Sequence, residues 1–277
     1  MDLRDYIRLA LSEDVGDGDH TSLATIPLHA QKRARLLVKE NGIVAGVEVA
    51  RVIFEEVDPL MEVNVQIPDG AAISVGDIVL TVSGSAQSIL KAERLVLNTM
   101  QRMSGIATYT RSLVNLLEGL PTKLLDTRKT TPNFRIFEKM ATKIGGAVNH
   151  RYALYDMILI KDNHVDYAGG IEAAILKANE YVQRTGKTLQ IEIEVRNLAE
   201  LAEALRVGRI DRVMLDNFNI ETLRQAVQQV AGRYPTEASG GIREETLRAV
   251  AETGVDYISC GALTHQIKSL DLSLKAY

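Results

Sequence analysis

The sequence predicts an α/β protein whose N-terminal part is mixed α+β and whose remainder is an α/β barrel. Two observations predict this division. Up to residue 82, short strand-like runs are separated by turns rich in glycine, asparagine and aspartate, whereas from residue 123 short buried runs alternate with amphipathic stretches. Strand-helix alternation favours a parallel sheet, and this many units favour a barrel. With 277 residues, of which 46% are hydrophobic and 25% charged, the chain can form one large or two moderate domains.

The N-terminal part combines helices with short strands. Apolar residues at helical spacing predict a first helix at residues 3–11 and a second at Val47–Val57. Strands are predicted at 33–39, 61–67 and 78–82. A long helical pattern covers residues 86–120, with an interruption predicted at Gly105.

The second part contains six buried runs, each expected to be a strand of a parallel sheet. Helical patterns at 171–181, 198–205, 220–230 and 244–253 lie between them. The predicted strands are residues 123–126, 157–160, 189–195, 212–215, 236–239 and 257–260.

Composition excludes several classes of protein. The net charge of -4 provides no overall positive field, so nucleic acid is not an expected partner. No apolar run approaches the ~20 residues of a membrane span, and the charged N-terminus does not resemble a signal peptide. Cys260 is the only cysteine, which rules out an intrachain disulfide and fits a cytoplasmic location. Cys260 is expected to be a small buried residue rather than a nucleophile.

Three charged residues follow buried runs in successive units: Lys161, Glu194 and Asp216. The carboxyl ends of parallel strands meet at one mouth of a barrel, where active sites lie, so these side chains are expected to face one another. Charged residues also occur at strand ends as helix caps. Three in succession favour a site.

Glycines at the ends of the last two strands suggest phosphate binding. Ser239-Gly240-Gly241 and Gly261 stand where barrels often bind phosphate through backbone N–H groups. A Gly-Gly pair alone is usually a turn, and its position here is what favours the phosphate interpretation.

A basic cluster lies between residues 126 and 165, with seven Lys or Arg against four acids. Arg135, Lys139 and Lys143 recur at i, i+4 spacing and are expected on a solvated helix face. Arg128-Lys129 and His150-Arg151 occupy loop positions suited to carboxylate or phosphate. His150 has no His or Cys partner at ligand spacing, which favours anion binding over zinc.

The sequence resembles quinolinate phosphoribosyltransferases in nine segments, which follow the family's order and cover nearly the whole chain. DTRKTTP together with NHR and IKDNH is highly specific. The segments are EDVGDGDHTS (13–22), NTMQRMSGIAT (98–108), LLDTRKTTP (124–132), GGAVNHR (145–151), LIKDNH (159–164), IEIEV (191–195), MLDN (214–217), EASGGI (237–242) and GALTH (261–265).

The resemblance implies an open-faced N-terminal sandwich of residues 1–110, joined by 266–277, and an incomplete seven-stranded barrel of residues 111–265. It also implies a homodimer that converts quinolinate and phosphoribosyl pyrophosphate, with Mg²⁺, to nicotinate mononucleotide, pyrophosphate and carbon dioxide for NAD biosynthesis. The chain departs from the usual pattern at Asn133, Ala147 and Tyr152-Ala153, which neighbour the anion-binding residues.

The resemblance also implies roles for individual residues. Catalytic roles fall to Lys129, Lys161, Glu194 and Asp216. Glu194 and Asp216 hold ribose hydroxyls or position the metal, and the sequence leaves both roles open. Carboxylate binding falls to Arg102, donated by the partner subunit, and to Arg128, His150, Arg151 and Lys161. The remaining substrate contacts are Thr127, Lys129, Ser239, Gly240, Gly241, Ser259 and Gly261.

Other functions compatible with these residues are a paralogue associated with molybdenum transport, a barrel aldolase using Lys161, and a metabolite-binding barrel without activity. The paralogue should be less faithful in the carboxylate-binding arginines, which are present here. An aldolase does not need so many other cations. A binding protein would not need Glu194 and Asp216.

Overall fold

A computed structural model describes residues 2–277 of the chain. These residues form two compact units. The first comprises the chain up to Arg111 with residues 130–146 and 262–277, and the second comprises residues 112–129 and 147–261. No helix among the residues described is both long enough and apolar enough to cross a membrane.

The first unit is built on a four-stranded antiparallel sheet with the order β12-β1-β5-β3, and β2 pairs with β4. Its helix α4 continues into the second unit. The elements are α1 (Leu3–Val15), α2 (His20–Thr25), β1 (Gln31–Val38), β2 (Gly42–Ile43), α3 (Val47–Val57), β3 (Glu62–Val65), β4 (Ala72–Ile73), β5 (Ile78–Ser85), α4 (Ala86–Leu116), α5 (Arg135–Gly145), α11 (Ala262–His265) and β12 (Leu272–Ala276).

The sheet of the first unit buries one face. Along β1, Ala34, Leu36 and Val38 are buried while the alternating residues Arg33 and Arg35 are exposed, as the two-residue period of a strand requires. The buried residues join the apolar face of α3 in one core. The C-terminal strand β12 pairs with β1 over five residues, so the end of the chain belongs to this unit.

The second unit contains a parallel sheet of six strands in the order β6-β11-β10-β9-β8-β7. A single parallel bridge between Leu125 and Val148 extends its β6 edge. The elements are β6 (Lys123–Leu125), β7 (Ile158–Ile160), α6 (Asp162–Ala168), α7 (Ile171–Thr185), β8 (Ile191–Val195), α8 (Leu198–Val207), β9 (Arg212–Asp216), α9 (Ile220–Val230), β10 (Thr236–Ser239), α10 (Glu244–Ala251) and β11 (Tyr257–Ser259).

The predicted fold class is confirmed: an N-terminal α+β unit accompanies a parallel α/β sheet. Each of the six runs predicted as parallel strands contains a strand. The seventh strand of the expected barrel is reduced to the bridge at Val148, and no pairing joins this bridge to β7 within residues 2–277. The sheet is therefore open, as an incomplete barrel is.

The structure groups residues 130–146 differently from the sequence boundary at 110/111. Phe137 and Ala141 on α5 are buried in the core of the first unit, and the Phe137 ring meets Tyr6 edge-on at 6.3 Å between centroids. Of the three basic residues expected on a solvated face of this helix, Lys139 is buried, Arg135 is half-buried and Lys143 is exposed. Helical spacing alone does not reveal that part of this face is covered.

The predicted interruption at Gly105 is wrong, because α4 runs unbroken from Ala86 to Leu116. Gly105 is needed for packing instead. A Cβ atom at this position would overlap the carbonyl oxygen of Lys268, which lies against the helix. A glycine inside a helix can mark a close approach of another backbone segment as well as a break.

We therefore expect Gly105→Ala to destabilise the protein. Alanine is favoured over glycine inside a helix by roughly 0.5–1 kcal/mol, but overpacking costs about 1–3 kcal/mol. Urea unfolding should show a loss of free energy of unfolding of about 1–2 kcal/mol. Asn98→Ala, at an exposed position of the same helix, is the control and should change stability by less than about 0.5 kcal/mol. A Gly105→Ala protein as stable as the unmodified one would contradict this packing argument.

Candidate active site

The carboxyl ends of the parallel strands bring the predicted polar residues to one edge of the second unit. Because adjacent strands are parallel and in register, the residues that end them lie side by side, as Asp216 does with its register partner Ser239. Lys161 directly follows β7 and Gly261 closely follows β11. The other residues at this edge are Glu194 on β8, Ser259 on β11, and Gly240 and Gly241 after β10.

An ion pair joins two of these residues. Lys161 Nζ donates to Glu194 Oε2 at 2.9 Å, with the glutamate side chain nearly buried and the lysine about half exposed. Lys161 also precedes the first turn of α6, where its backbone N–H donates to His164 Nδ1 at 2.9 Å. His164 therefore fixes the start of the helix that follows Lys161.

Asp216 is oriented by the residue that follows it. Asn217 Nδ2 donates to Asp216 Oδ2 at 2.6 Å, and the Asn217 N–H donates to the Ser239 carbonyl at 2.9 Å. Asn217 has a left-handed backbone with φ 56°. Burial and the nearby Glu194 carboxylate raise the pKa of Asp216. Two like charges held close together favour a cation between them or beside them.

The glycine pair after β10 has backbone angles that favour glycine. Gly240 has φ 91° and Gly241 has φ 61°, and a Cβ atom on Gly240 would overlap the Asn217 side chain. The loop leads to the start of α10, so its backbone amides lie near a helix N-terminus. This arrangement is suited to an anionic group such as phosphate.

Two loops next to β6 carry the predicted anion-binding pairs, Arg128-Lys129 and His150-Arg151. Arg128 and Lys129 follow β6, where the Lys129 N–H donates to Thr127 Oγ1 at 3.0 Å. Burial and the like charge of Arg128 lower the pKa of Arg151, so the two guanidinium groups lie close enough to repel each other. Two cations held against their mutual repulsion form a site for an anion.

A buried carboxylate anchors the second basic loop. Asp126, which has no exposed surface, accepts hydrogen bonds from the His150 N–H at 2.8 Å and from the Asn149 side chain at 2.5 Å. Arg151 Nη1 in turn donates to the Met157 carbonyl at 3.2 Å. Contacts at His150 and at Arg151 thus hold this loop in place.

The sequence interpretation missed a buried charged layer beneath these residues. His150 Nε2 lies 3.1 Å from Glu192 Oε2 and 3.3 Å from Glu237 Oε2, and Arg212 Nη1 donates to Glu237 Oε2 at 3.1 Å. Arg212 also lies over the Tyr257 ring at 4.5 Å. The sequence did contain a signal for this layer. Glu192 in IEIEV and Glu237 in TEAS lie inside buried strands, and a charged residue in such a position needs a charged partner.

The charged groups of this layer shift one another's pKa values. Glu192 and Glu237 raise the pKa of His150 to about 9 although burial opposes its charge. Burial and Glu237 raise the pKa of Glu192 to about 7. His150 Nδ1 accepts the Arg151 N–H at 2.7 Å, so the hydrogen-bond network assigns the ring proton to Nε2. This contact leaves no place for a ring proton at Nδ1, so the proton that the raised pKa of His150 reports is the one at Nε2, between the ring and the two carboxylates.

Arg102 belongs to the first unit, whereas the other predicted site residues belong to the second. Its guanidinium donates to Glu138 Oε1 through Nη2 at 2.9 Å, to the Ile267 carbonyl at 3.1 Å and to the Thr264 carbonyl. Glu138 is buried and also accepts from the Thr131 N–H at 3.0 Å. Arg102 is therefore held rigidly on α4.

Comparison with known proteins identifies the family. Residues 19–104 match the family described as "Quinolinate phosphoribosyl transferase, N-terminal domain" and residues 106–275 match the corresponding C-terminal domain. The chain belongs to the quinolinate phosphoribosyltransferase family.

Relatives within this family span nearly the whole chain. Quinolinate phosphoribosyltransferase [decarboxylating] 1b of Nicotiana tabacum is 45% identical over 99% of this chain and 82% of its own length. A probable nicotinate-nucleotide pyrophosphorylase [carboxylating] of Synechocystis is 40% identical over 98% of this chain and 91% of its own length. The crystal structure of NadC from Streptococcus pyogenes is 40% identical, covers 99% of this chain and 95% of its own, and superposes with a TM-score of 0.92.

We expect the buried layer of this quinolinate phosphoribosyltransferase to be sensitive to loss of one charge. Arg212→Met leaves Glu237 buried without its guanidinium partner, which should lower the free energy of unfolding by about 3–5 kcal/mol. Arg206→Met is the matched control, because the Arg206–Glu172 pair is exposed and should contribute less than about 1 kcal/mol. Equal losses in the two variants, measured by urea unfolding at neutral pH, would refute the distinction.

Proposed function

We propose that this protein transfers the phosphoribosyl group of phosphoribosyl pyrophosphate to quinolinate and releases pyrophosphate and carbon dioxide, forming nicotinate mononucleotide for NAD biosynthesis. The observation that carries the proposal is the separation of charge at one sheet edge. The guanidinium groups of Arg128 and Arg151 lie on one side, and the carboxylates of Glu194 and Asp216 lie near a glycine loop on the other. Family membership supports the same reaction.

The basic side is assigned to quinolinate, a pyridine with two carboxylates. Arg128 and Arg151 offer planar forks that match carboxylate oxygens, and Lys161 adds a point charge. The mutual repulsion of the two arginines is relieved when an anion binds between them. His150, expected to bind a carboxylate, is assigned to the same side, where its Nδ1 accepts the Arg151 N–H.

The acidic side is assigned to phosphoribosyl pyrophosphate. Glu194 and Asp216 suit either the ribose hydroxyls or Mg²⁺, a hard cation bound through one or two carboxylates together with substrate phosphates. The raised pKa of Asp216 beside Glu194 fits a cation site. Thr127, Lys129 and Lys161 are assigned to the pyrophosphate side. Ser239, Gly240, Gly241, Ser259 and Gly261 are assigned to the 5′-phosphate.

The proposed catalysis consists of positioning and charge stabilisation. Lys129 and Lys161 neutralise the departing pyrophosphate, while the Glu194 and Asp216 carboxylates face the ribose as it gains oxocarbenium character. Bound Mg²⁺ would supply further charge neutralisation at the pyrophosphate. After the ring nitrogen attacks the ribose carbon, the bond from C2 to its carboxylate breaks and carbon dioxide leaves. The electron pair of that bond stays on C2, where the adjacent positive nitrogen stabilises it, and C2 then takes up a proton from solvent. No covalent enzyme intermediate is required.

We place the protein in the cytoplasm. A single buried cysteine and the absence of a disulfide in residues 2–277 fit a reducing compartment. Several plant relatives carry names that assign them to chloroplasts or mitochondria, so fractionation of the source cells is the direct check.

Substrate choice tests the function. Purified protein, phosphoribosyl pyrophosphate and Mg²⁺ should convert quinolinate to nicotinate mononucleotide and carbon dioxide, detected by chromatography and release of labelled carbon dioxide. Nicotinic acid leaves part of the cationic side unpaired, at roughly 1–3 kcal/mol or more per buried group, and has no C2 carboxylate to lose. Its turnover should therefore be lower by at least about tenfold. Equal turnover of the two acids would exclude the proposal.

We further propose that the active protein is a homodimer in which each Arg102 completes the site of the partner subunit. A two-fold dimer supplies such a residue reciprocally. Arg102 suits this role because Glu138 and two carbonyls hold its guanidinium in one orientation, which limits the entropy lost when it binds an anion. The ordinary alternative is that Arg102 only stabilises the first unit.

Subunit mixing separates these alternatives. An Arg102→Gln chain and a Glu194→Gln chain, each inactive alone, are mixed under conditions of subunit exchange. If Arg102 acts on the partner's site, each mixed dimer contains one intact site, and about a quarter of normal activity should return. If Arg102 acts in its own chain, every site keeps one lesion and activity stays absent. Circular dichroism of both variants controls for folding, and glutamine preserves a donor for Glu138.

A further inference from the structure

The mouth of the sheet rests on a second polar layer. Side chains two residues apart on a strand share a face, so Glu192 lies beneath Glu194, and Glu237 lies beneath Ser239. Neither Glu192 nor Glu237 has exposed surface. The layer is therefore out of reach of a substrate at the mouth, and any influence on the reaction must pass through other residues.

His150 is the link between this layer and the mouth. Its Nε2 faces both carboxylates at 3.1 and 3.3 Å, and its Nδ1 accepts the Arg151 N–H at 2.7 Å. Both ring nitrogens are thus engaged inside the protein. A ring held in this way sets the backbone position from which the Arg151 side chain starts.

Glu192 has a narrower set of contacts than Glu237. Arg212 pairs with Glu237, whereas the only ion pair of Glu192 among residues 2–277 is the one with His150. The charge of Glu192 also raises the pKa of Arg151, against the larger effects of burial and of Arg128. A buried carboxylate is a poor source of stability, because its desolvation offsets most of the attraction to a partner. The contact with His150 is therefore the direct contribution of the Glu192 carboxylate, beside this effect of its charge.

We infer that Glu192 is a positioning residue for the proposed quinolinate side: it holds His150 with Nε2–H toward the sheet interior, so that Nδ1 fixes the Arg151 amide and, through it, the guanidinium that binds a substrate carboxylate. Glu237 is a second acceptor for the same ring and keeps Arg212 in place. This inference rests on the proposed function, since it assigns the residues that prepare one side of that site.

A metal centre is the competing explanation of the same cluster, because His150, Glu192 and Glu237 each offer one ligand atom within 4.8 Å of the others. Arg212 argues against it. Its guanidinium already contacts Glu237 Oε2 at 3.1 Å, and a second cation there would meet this positive charge. Metal analysis of the purified protein is therefore part of the test.

The test compares Glu192→Leu with Glu192→Gln. Leucine removes the acceptor for Nε2–H, whereas the glutamine amide oxygen keeps it. Titration calorimetry should show quinolinate affinity about tenfold weaker for Glu192→Leu and within about threefold of normal for Glu192→Gln, with phosphoribosyl pyrophosphate binding unchanged in both. The Glu192→Leu protein should lose some free energy of unfolding, because one partner of a buried pair is removed, and urea unfolding measures this loss in both variants. Glu194→Gln is the matched control on the same strand. It should weaken the binding of phosphoribosyl pyrophosphate rather than that of quinolinate.

Two variants of His150 keep the inference testable if Glu192→Leu does not fold. An asparagine oxygen can stand near the position of Nδ1 and accept the Arg151 N–H, whereas a glutamine amide reaches toward Nε2. His150→Asn should therefore bind quinolinate more tightly than His150→Gln. Nitrogen-15 spectra of the five histidines, with His150 assigned by its loss in the variants, should show a ring protonated at Nε2 only.

The outcomes are distinct. Unmodified protein that does not bind quinolinate removes the proposed function, but the histidine spectra still report the ring. A ring protonated at Nδ1, equal affinities for the leucine and glutamine variants, losses spread over both substrates, or a stoichiometric metal lost on changing Glu192 would each overturn the positioning role.

Discussion

The second unit depends on the burial of two carboxylates inside its parallel sheet. Glu192 and Glu237 have no contact with solvent, so their charge must be balanced by groups that the fold brings to them. Arg212 comes from the neighbouring strand, and His150 comes from a loop on the far side of the sheet's β6 edge. The contacts that balance these two carboxylates therefore join the strands β8, β9 and β10 to one loop. The same loop carries Arg151.

The same charge balance explains how a mildly acidic protein can hold a strongly cationic site. Net charge is -4, yet Arg128 and Arg151 lie close enough for one to lower the pKa of the other. Their repulsion is tolerated because other contacts hold the loop of Arg151 in place. Asp126 accepts the His150 N–H and His150 Nδ1 accepts the Arg151 N–H, and neither contact involves a guanidinium group. Local anchoring, rather than overall charge, makes an anion site possible.

The sequence predicted what depends on local order along the chain. Lys161, Glu194 and Asp216 could be assigned to one edge because each follows a buried run and parallel strands end at the same side. Gly105 was misread because the carbonyl that packs on it comes from Lys268, more than 150 residues away. The Glu192 layer was missed for the same reason, since alternation predicts which residues of a strand share a face but not which distant loop supplies the counter-charge.

Steric contact through Asn217 links the glycine loop after β10 to the Asp216 carboxylate. The Asn217 side chain fills the space in which a Cβ atom of residue 240 would lie, so the glycine loop and Asn217 can adopt their left-handed conformations only together. Asn217 in turn donates to Asp216 at 2.6 Å and to the Ser239 carbonyl at 2.9 Å. The Asn217 side chain is therefore in contact with both the glycine loop and the Asp216 carboxylate. Glycine at position 240 is thus required twice: for the backbone angle of the loop, and for the room that lets Asn217 hold Asp216.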